Sequence, residues 1–534
     1  MKIVFTDTDG NIEGSNITPG WSNSKTFTVK NESNGTYKYD IIIKDLVNTF
    51  KTYKYLQYKI TSTDGGYNMT DYSYLPKSST KEDVALAYEV SIDKGKTHTY
   101  TIEIKYVNDA VVDQSIDMGQ SLSGTIYIRE FTKPIMKLTD KLMADNPTIG
   151  TRTTFTAFTE TNTGTLYKAT EQIGTNESKD VYYFAGDAKN NWVKFGKTKE
   201  SSCTYKGKEV IHVNMTNQTK KTPENETECT STNICDFGEY DYAVGLTESE
   251  CNEEGYTWIT EKATWNGTTT KDIYWRIIRT NTDGSIKLLY AGTSPDTEQA
   301  YIGMGVFNTT RNNDPMYVGY KYGTTGSLEN NRLNTNDSTI KTYIDNWYKN
   351  NLTAYTKYLS KDAVYCNDRN LASGQTYSTS TTSSFNYASY ERIATNKQPT
   401  YNCTNMSDAF SVNNTSAKLD YPVGLMTIDE LSYAGGQALT ELTAPYAWYY
   451  TNANGESSYE NRGFWSLSPA LWVGAPAGVW AVLGSNSSIH LRDYLVDRSL
   501  PVRPSVSLLS CNLISRGDGS ANNPYTVYIG SGSC

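Results

Sequence analysis

Histidine is almost absent from this chain of 534 residues, which holds only His98, His212 and His490. That scarcity excludes most His-based metal sites and argues against a His-centred catalytic triad. Long apolar runs are also missing, so no segment reads as a transmembrane helix. Lys+Arg 49 against Asp+Glu 58 gives a net charge of −9, and no basic run occurs. This balance argues against a nucleic-acid groove and a polybasic membrane patch. The opening MKIVFTDTDG is polar at once and is no signal peptide. Met1 therefore reads as an introduced start, with targeting and anchoring segments expected outside this chain.

Hydrophobic residues make up only 37%, yet 43 Tyr, 13 Phe and 10 Trp are present. Tyr and Trp fill core volume while tolerating a wet edge, so the chain reads as folded with aromatic-rich surfaces. The length suggests about three to four domains. The eight cysteines contain no Cys-x-x-Cys pair, which favours disulfides in an oxidising compartment over zinc. Cys203, Cys229, Cys235 and Cys251 are expected to pair among themselves, in a connectivity the sequence leaves open. Cys366–Cys403 and Cys511–Cys534 are the expected local pairs. Asn-x-Ser/Thr sites such as Asn214, Asn217 and Asn225 are expected by chance in so Asn- and Thr-rich a chain.

Residues 1–131 read as an all-β, Ig-like sandwich serving as stalk or assembly domain. Segments 25–31, 37–45, 56–66, 98–106 and 123–130 alternate apolar and polar residues between Gly, Asn and Asp. In TYTIEIKY the period places Tyr100, Ile102, Ile104 and Tyr106 on one face. Residues 132–150 are expected to form a helical connector, with Ile135, Leu138 and Leu142 at helical spacing and Pro147 closing it. Beyond 151, residues 182–196 read as two short strands around a polar turn. Residues 273–292 read as a hairpin turning at Asp283-Gly284. A polar, aperiodic insert at about 198–262 holds four cysteines as staples. Two helices are expected. One covers 337–352 with a stripe of Ile340, Tyr343, Ile344, Trp347 and Tyr348. The other covers 427–436, with a Thr427/Glu430 capping box and a Gly435-Gly436 stop. Residues 366–420 are loop-rich, and the Ser/Thr tract at 378–384 reads as a solvated loop.

GLMTIDELSYAGG (424–436), GFWSLSP (463–469), LPVRPSVSL (500–508) and the GDGSANNPYTV tail (517–527) occur in that order. Together with the hairpin around Trp275 and the Asn-Asp-Arg run 367–369, they resemble formylglycine-generating-enzyme-like domains over roughly 155–530. The resemblance implies an α+β C-type-lectin-like fold for 151–534. Enzymes of that family use a closely placed cysteine pair near the domain end. No such pair lies between Cys403 and Cys511, so oxidase activity and copper are not expected and the chain is read as a non-enzyme.

Domains of this type are also targets of diversity-generating retroelements, which mutate template adenines. Apart from Trp472 and Trp480, the segment Leu471 to Pro501 lacks the residues such mutagenesis cannot reach: Lys, Glu, Gln, Met and Trp. Leu471, Val473, Ala475, Pro476, Gly478, Ala481, Leu483, His490, Arg492, Asp493, Tyr494, Leu495, Asp497, Arg498 and Leu500 are therefore the expected variable surface. Several of them follow no clean period. They stand among Trp465, Trp472, Trp480 and Arg503, read as rigid supports. A plainer alternative makes 471–501 an ordinary hairpin, with Val479, Val482, Ile489 and Val496 alternating into the core.

The resemblance admits structural calcium and no other cofactor, with Asn312-Asn313-Asp314 and Asn334-Thr335-Asn336-Asp337 as clusters to inspect. Asp337 reads equally as a helix cap. Arg516-Gly517-Asp518 spells an integrin tripeptide but overlaps a turn. The expected function is an extracellular, bacterial cell-surface protein binding an external protein or glycan, with self-assembly through the N-terminal domain as an option. A phage receptor-binding protein and a structural surface fibre are the alternatives.

Overall fold

A computed structural model describes the chain except residues 1–2, 8–10, 14–16, 110–111, 132–135, 217, 239–241, 254, 310–312, 444–445, 456–462, 476, 486–487 and 531–533; at 3–4, 7, 11–13 and 485 only the backbone is described. Met1, Ile135, Asn217, Asn312 and Pro476 lie outside the described residues. The chain divides into two compact units, Met1–Pro134 and Ile135–Cys534.

The first unit is a two-sheet sandwich. One sheet orders Ile3–Asp7, Ser22–Asn31, Thr97–Tyr106, Leu56–Ser62 and Ser73–Tyr74. The other orders Asn11–Glu13, Leu122–Glu130, Tyr37–Asn48 and Ser78–Ile92. The period-2 pattern of Thr97–Tyr106 buries His98, Tyr100, Ile102, Ile104 and Tyr106 against Tyr39, Ile41 and Ile43. The Tyr39 hydroxyl lies 2.8 Å from His98 Nδ1 and 2.6 Å from the Tyr100 hydroxyl, which satisfies polar atoms inside this core. Ser78–Ile92 has no sequence expectation behind it. Its Lys81-Glu82-Asp83 run and several register shifts against Tyr37–Asn48 obscure the period.

In the second unit the helix Leu138–Asp145 is no free connector. Leu138 and Leu142 are buried in its core, the Leu138 N–H donates to the Asn512 carbonyl, and the Tyr525 hydroxyl donates to Asp145. Asn146 caps its end directly before Pro147, the residue expected to close the run. Lys179–Tyr183 and Trp192–Tyr205 do not pair with each other as a hairpin. Both pair with the long strand Thr264–Thr280, which continues into Ile286–Tyr290, Ser505–Leu508 and Val423–Gly424. The Asp283-Gly284 turn is present, with Gly284 at φ 80° and Asp283 accepting from the Ser285 N–H. The insert is not structureless at its start, because Trp192–Tyr205 and Thr264–Thr280 run on as a paired arm. Disulfides join Cys203–Cys229, Cys235–Cys251, Cys366–Cys403 and Cys511–Cys534.

Thr339–Asn351 is helical, with Ile340, Ile344 and Tyr348 buried and Tyr343 and Trp347 half-buried. Its cap is Ser338, whose hydroxyl accepts from the Lys341 N–H; Asp337 is not the cap. The helix Ile428–Tyr433 is wholly buried and opens on the Thr427/Glu430 capping box. Gly435 ends it at φ 118°, where a Cβ would stand 2.0 Å from the Phe158 carbonyl oxygen.

Candidate binding surface

Among the described residues of 471–501 most are strand. Phe385–Asn386, Phe464–Trp472, Ala477–Ser485 and Ser488–Leu495 make an antiparallel four-stranded sheet. Register sets the two faces. Ala481 pairs with Arg492, Leu483 with His490 and Val479 with Tyr494, so these share one face. Val482 pairs with Leu491 and Trp480 with Asp493 on the other.

Beneath this surface the sheet is anchored by indoles. Trp465, Trp472 and Trp480 are fully buried, and their N–H groups donate to the Gly305 carbonyl, the Ser380 carbonyl and the Ser389 hydroxyl. Tyr390 stacks on Trp480 at 5.3 Å. Arg503 is buried as well, donating to the carbonyls of Tyr290 and Tyr449. Val479, Val482, Ile489 and Val496 also face the core, as the ordinary-hairpin reading has them.

The outer edge is not open. Leu439 N–H donates to Leu491, and Ile489 and Leu442 exchange backbone hydrogen bonds, so residues 437–442 cover the last strand. Below it, Asn308 N–H holds the Val496 carbonyl, and Gly305 pairs with Leu500. Arg492 therefore emerges from backbone fixed on both sides, whereas Val473, Ala475 and Arg498 lie between strands.

Val473, Ala475, Arg492 and Arg498 are exposed. Leu471, Leu483, His490, Asp493, Tyr494, Leu495 and Asp497 are half-buried. Gly478, Ala481 and Leu500 are buried and leave the expected surface. Gly478 faces Leu471, Ala481 lies inside the ladder against Trp465, and Leu500 is held by the Met304–Val306 strand. Pro476 lies outside the described residues. Ala475 has φ 85°, a conformation suited to Gly or Asn, so it is a turn residue tolerating few side chains. Two neighbours were not expected from sequence. Leu439 is 52% exposed at a left-handed φ of 59°, and Glu441 acts electrostatically on His490. Burial holds the His490 imidazole below its ordinary value, against the pull of Glu441 and with the push of Arg492, so it is neutral near pH 7.

The acidic clusters are committed elsewhere. Asp314 caps the turn at Pro315–Val318, accepting from the Met316 N–H. Asn334 donates to the Ser407 and Ser416 carbonyls and accepts from Arg369, and Asn336 donates to the Gly323 carbonyl. Asp337, Asp345 and Asp420 do converge, but around the buried Lys341 ammonium, 3.2 Å from Asp337 and 2.9 Å from Asp420. That cation offsets part of their charge, Lys321 pairs with Asp337 as well, and burial raises Asp345 to about 6. In the tripeptide, Gly517 takes φ 109°, while Asp518 accepts from the Ser520 N–H and the Asn523 amide within the turn.

Comparison with known proteins finds no matching family model, no similar curated protein and no similar solved structure. The four disulfides point to an oxidising compartment, extracellular or periplasmic. Among the described residues no helix is long and apolar enough to cross a membrane.

Proposed function

We propose that this chain is the ectodomain of a bacterial surface-displayed binding protein. The N-terminal sandwich acts as a stalk. The second unit is a C-type-lectin-like domain of the formylglycine-generating-enzyme type, and its 471–501 surface recognises an external protein or glycan. Retroelement diversification supplies the specificity, and the mechanism is recognition without catalysis.

One observation carries the reading. Exposed Arg492 stands on a strand hydrogen-bonded along both edges, in one short segment with exposed Val473 and Arg498 and the buried Trp472 and Trp480. Side chains can then change while the fold stays, and pre-ordered groups lose little entropy on binding. Arginine, tyrosine and aliphatic groups together make an adaptable contact patch.

The test is a displayed library randomised at Val473, Arg492 and Arg498. Most members should unfold within about 0.5 kcal/mol of the parent, as surface changes do. Panning should return binders to unrelated proteins. Widespread unfolding, or no binder from a well-folded library, would contradict the proposal.

A further inference from the structure

Between the insert and the body of the second unit lies a cleft of about 890 Å³, to which no residue of 471–501 contributes. One wall is the last turn of the helix Thr339–Asn351. There Trp347 is half-buried, its ring edge-on to Tyr290 at 5.5 Å and to Trp275 at 6.4 Å. Tyr301, also half-buried, adds a second aromatic to the lining. The opposite wall comes from the insert. Its strand Thr219–Lys221 bridges to Met304, and Asn350 reaches across to Glu224 at 3.5 Å. The Ser201 hydroxyl donates to the Pro223 carbonyl, and Cys203–Cys229 ties the same corner, so both walls are fixed before any ligand arrives.

Four lysines and three glutamates line the cleft, a net of one positive charge. Lys221 neutralises Glu224 at 2.9 Å, and Glu200 accepts from the Thr293 hydroxyl at 2.9 Å. Most other polar groups are amides and hydroxyls, which both donate and accept. A net of one positive charge over this volume gives a polyanion little to bind, and an acyl chain would need an apolar lining. A pyranose ring offers an apolar C–H face for an indole or phenol and a rim of hydroxyls for amides. We propose that this cleft binds a neutral oligosaccharide, with Trp347 and Tyr301 as platforms and Asn350 among the hydrogen-bonding groups. This site is separate from the 471–501 surface, and either can fail alone.

The intact chain should be titrated with cellohexaose, maltohexaose, chitohexaose and mannohexaose, read by tryptophan fluorescence and saturation-transfer NMR. At least one should saturate with Kd of about 1 mM or tighter. Trp347→Ala should weaken it by about tenfold or more. Because Trp347 also packs inward, the exposed Asn350→Ala provides the second arm. It should weaken binding measurably at unchanged Tm, whereas Arg492→Ala with Arg498→Ala should leave it intact. Absence of saturation by all four sugars, or binding indifferent to Asn350→Ala and Trp347→Ala, would overturn the proposal.

Discussion

The hairpin at residues 477–495 and the insert at 198–262 are ordered in different ways. In the hairpin Val479, Trp480, Ala481 and Val482 have no solvent exposure and belong to the main core of the second unit. Among its described residues the insert buries two small clusters, each gathered on a disulfide: Cys203 and Cys229 with Val210, Ile234 and Val244, and Cys235 and Cys251 with Val213 and Leu246. A strand sunk in a large core needs no cross-link. A segment with little apolar surface does, because burial alone does not offset its conformational entropy. The lesson concerns tolerance. Where the core holds the backbone, exposed side chains are available for change. Where staples hold it, the staples themselves are the fixed part.

Removing the support of the hairpin gives the largest effect. Trp480→Ala deletes a buried indole, its hydrogen bond to Ser389 and its stack on Tyr390, and should cost about 3–5 kcal/mol in denaturant unfolding. Breaking the insert comes next. Cys203→Ser with Cys229→Ser frees a separation of 26 residues. It should cost about 3 kcal/mol, felt as loss of amide protection confined to 198–262 while the hairpin stays protected. Equal loss in both regions would erase the contrast.

Acid should act more gently, on both regions together. Burial lowers His212 in the insert and His490 in the hairpin below the ordinary 6.5, and His98 in the first unit likewise. A histidine depressed in the folded state leaves stability full above 6.5, and stability falls as pH drops through that value toward the folded one. Asp345, raised to about 6, contributes with the opposite sign over the same range, so the check is the imidazole NMR signals, which should titrate below 6.5. An imidazole titrating above 6.5 would refute the assignment. The smallest effect belongs to the surface. Arg492→Ala with Arg498→Ala should move stability by no more than about 0.5 kcal/mol.

Local pattern made much of this legible. Alternation located Thr97–Tyr106, and the Thr427/Glu430 box located the helix Ile428–Tyr433. Spacing alone located the stripe of Thr339–Asn351. What escaped depends on distant partners. Lys287 looks like a surface lysine, yet it is buried on Glu430, 143 positions away, beside the Arg279–Glu171 pair. Lys341 is hidden in the same way among Asp337, Asp345 and Asp420. In the candidate surface, composition marked 471–501 as a unit. It could not tell Arg492 from its cross-strand partner Ala481, because Trp465 and the neighbouring strand decide which of the two is covered.

The most direct test of the central claim is to sequence this locus and its flanks across sibling isolates. The account predicts substitutions concentrated at Val473, Arg492, Asp493 and Arg498, with Trp472 and Trp480 unchanged, and an adenine-bearing near-repeat beside a reverse transcriptase. Residues 471–501 varying no more than the buried hairpin 273–292, with no such repeat, would contradict it.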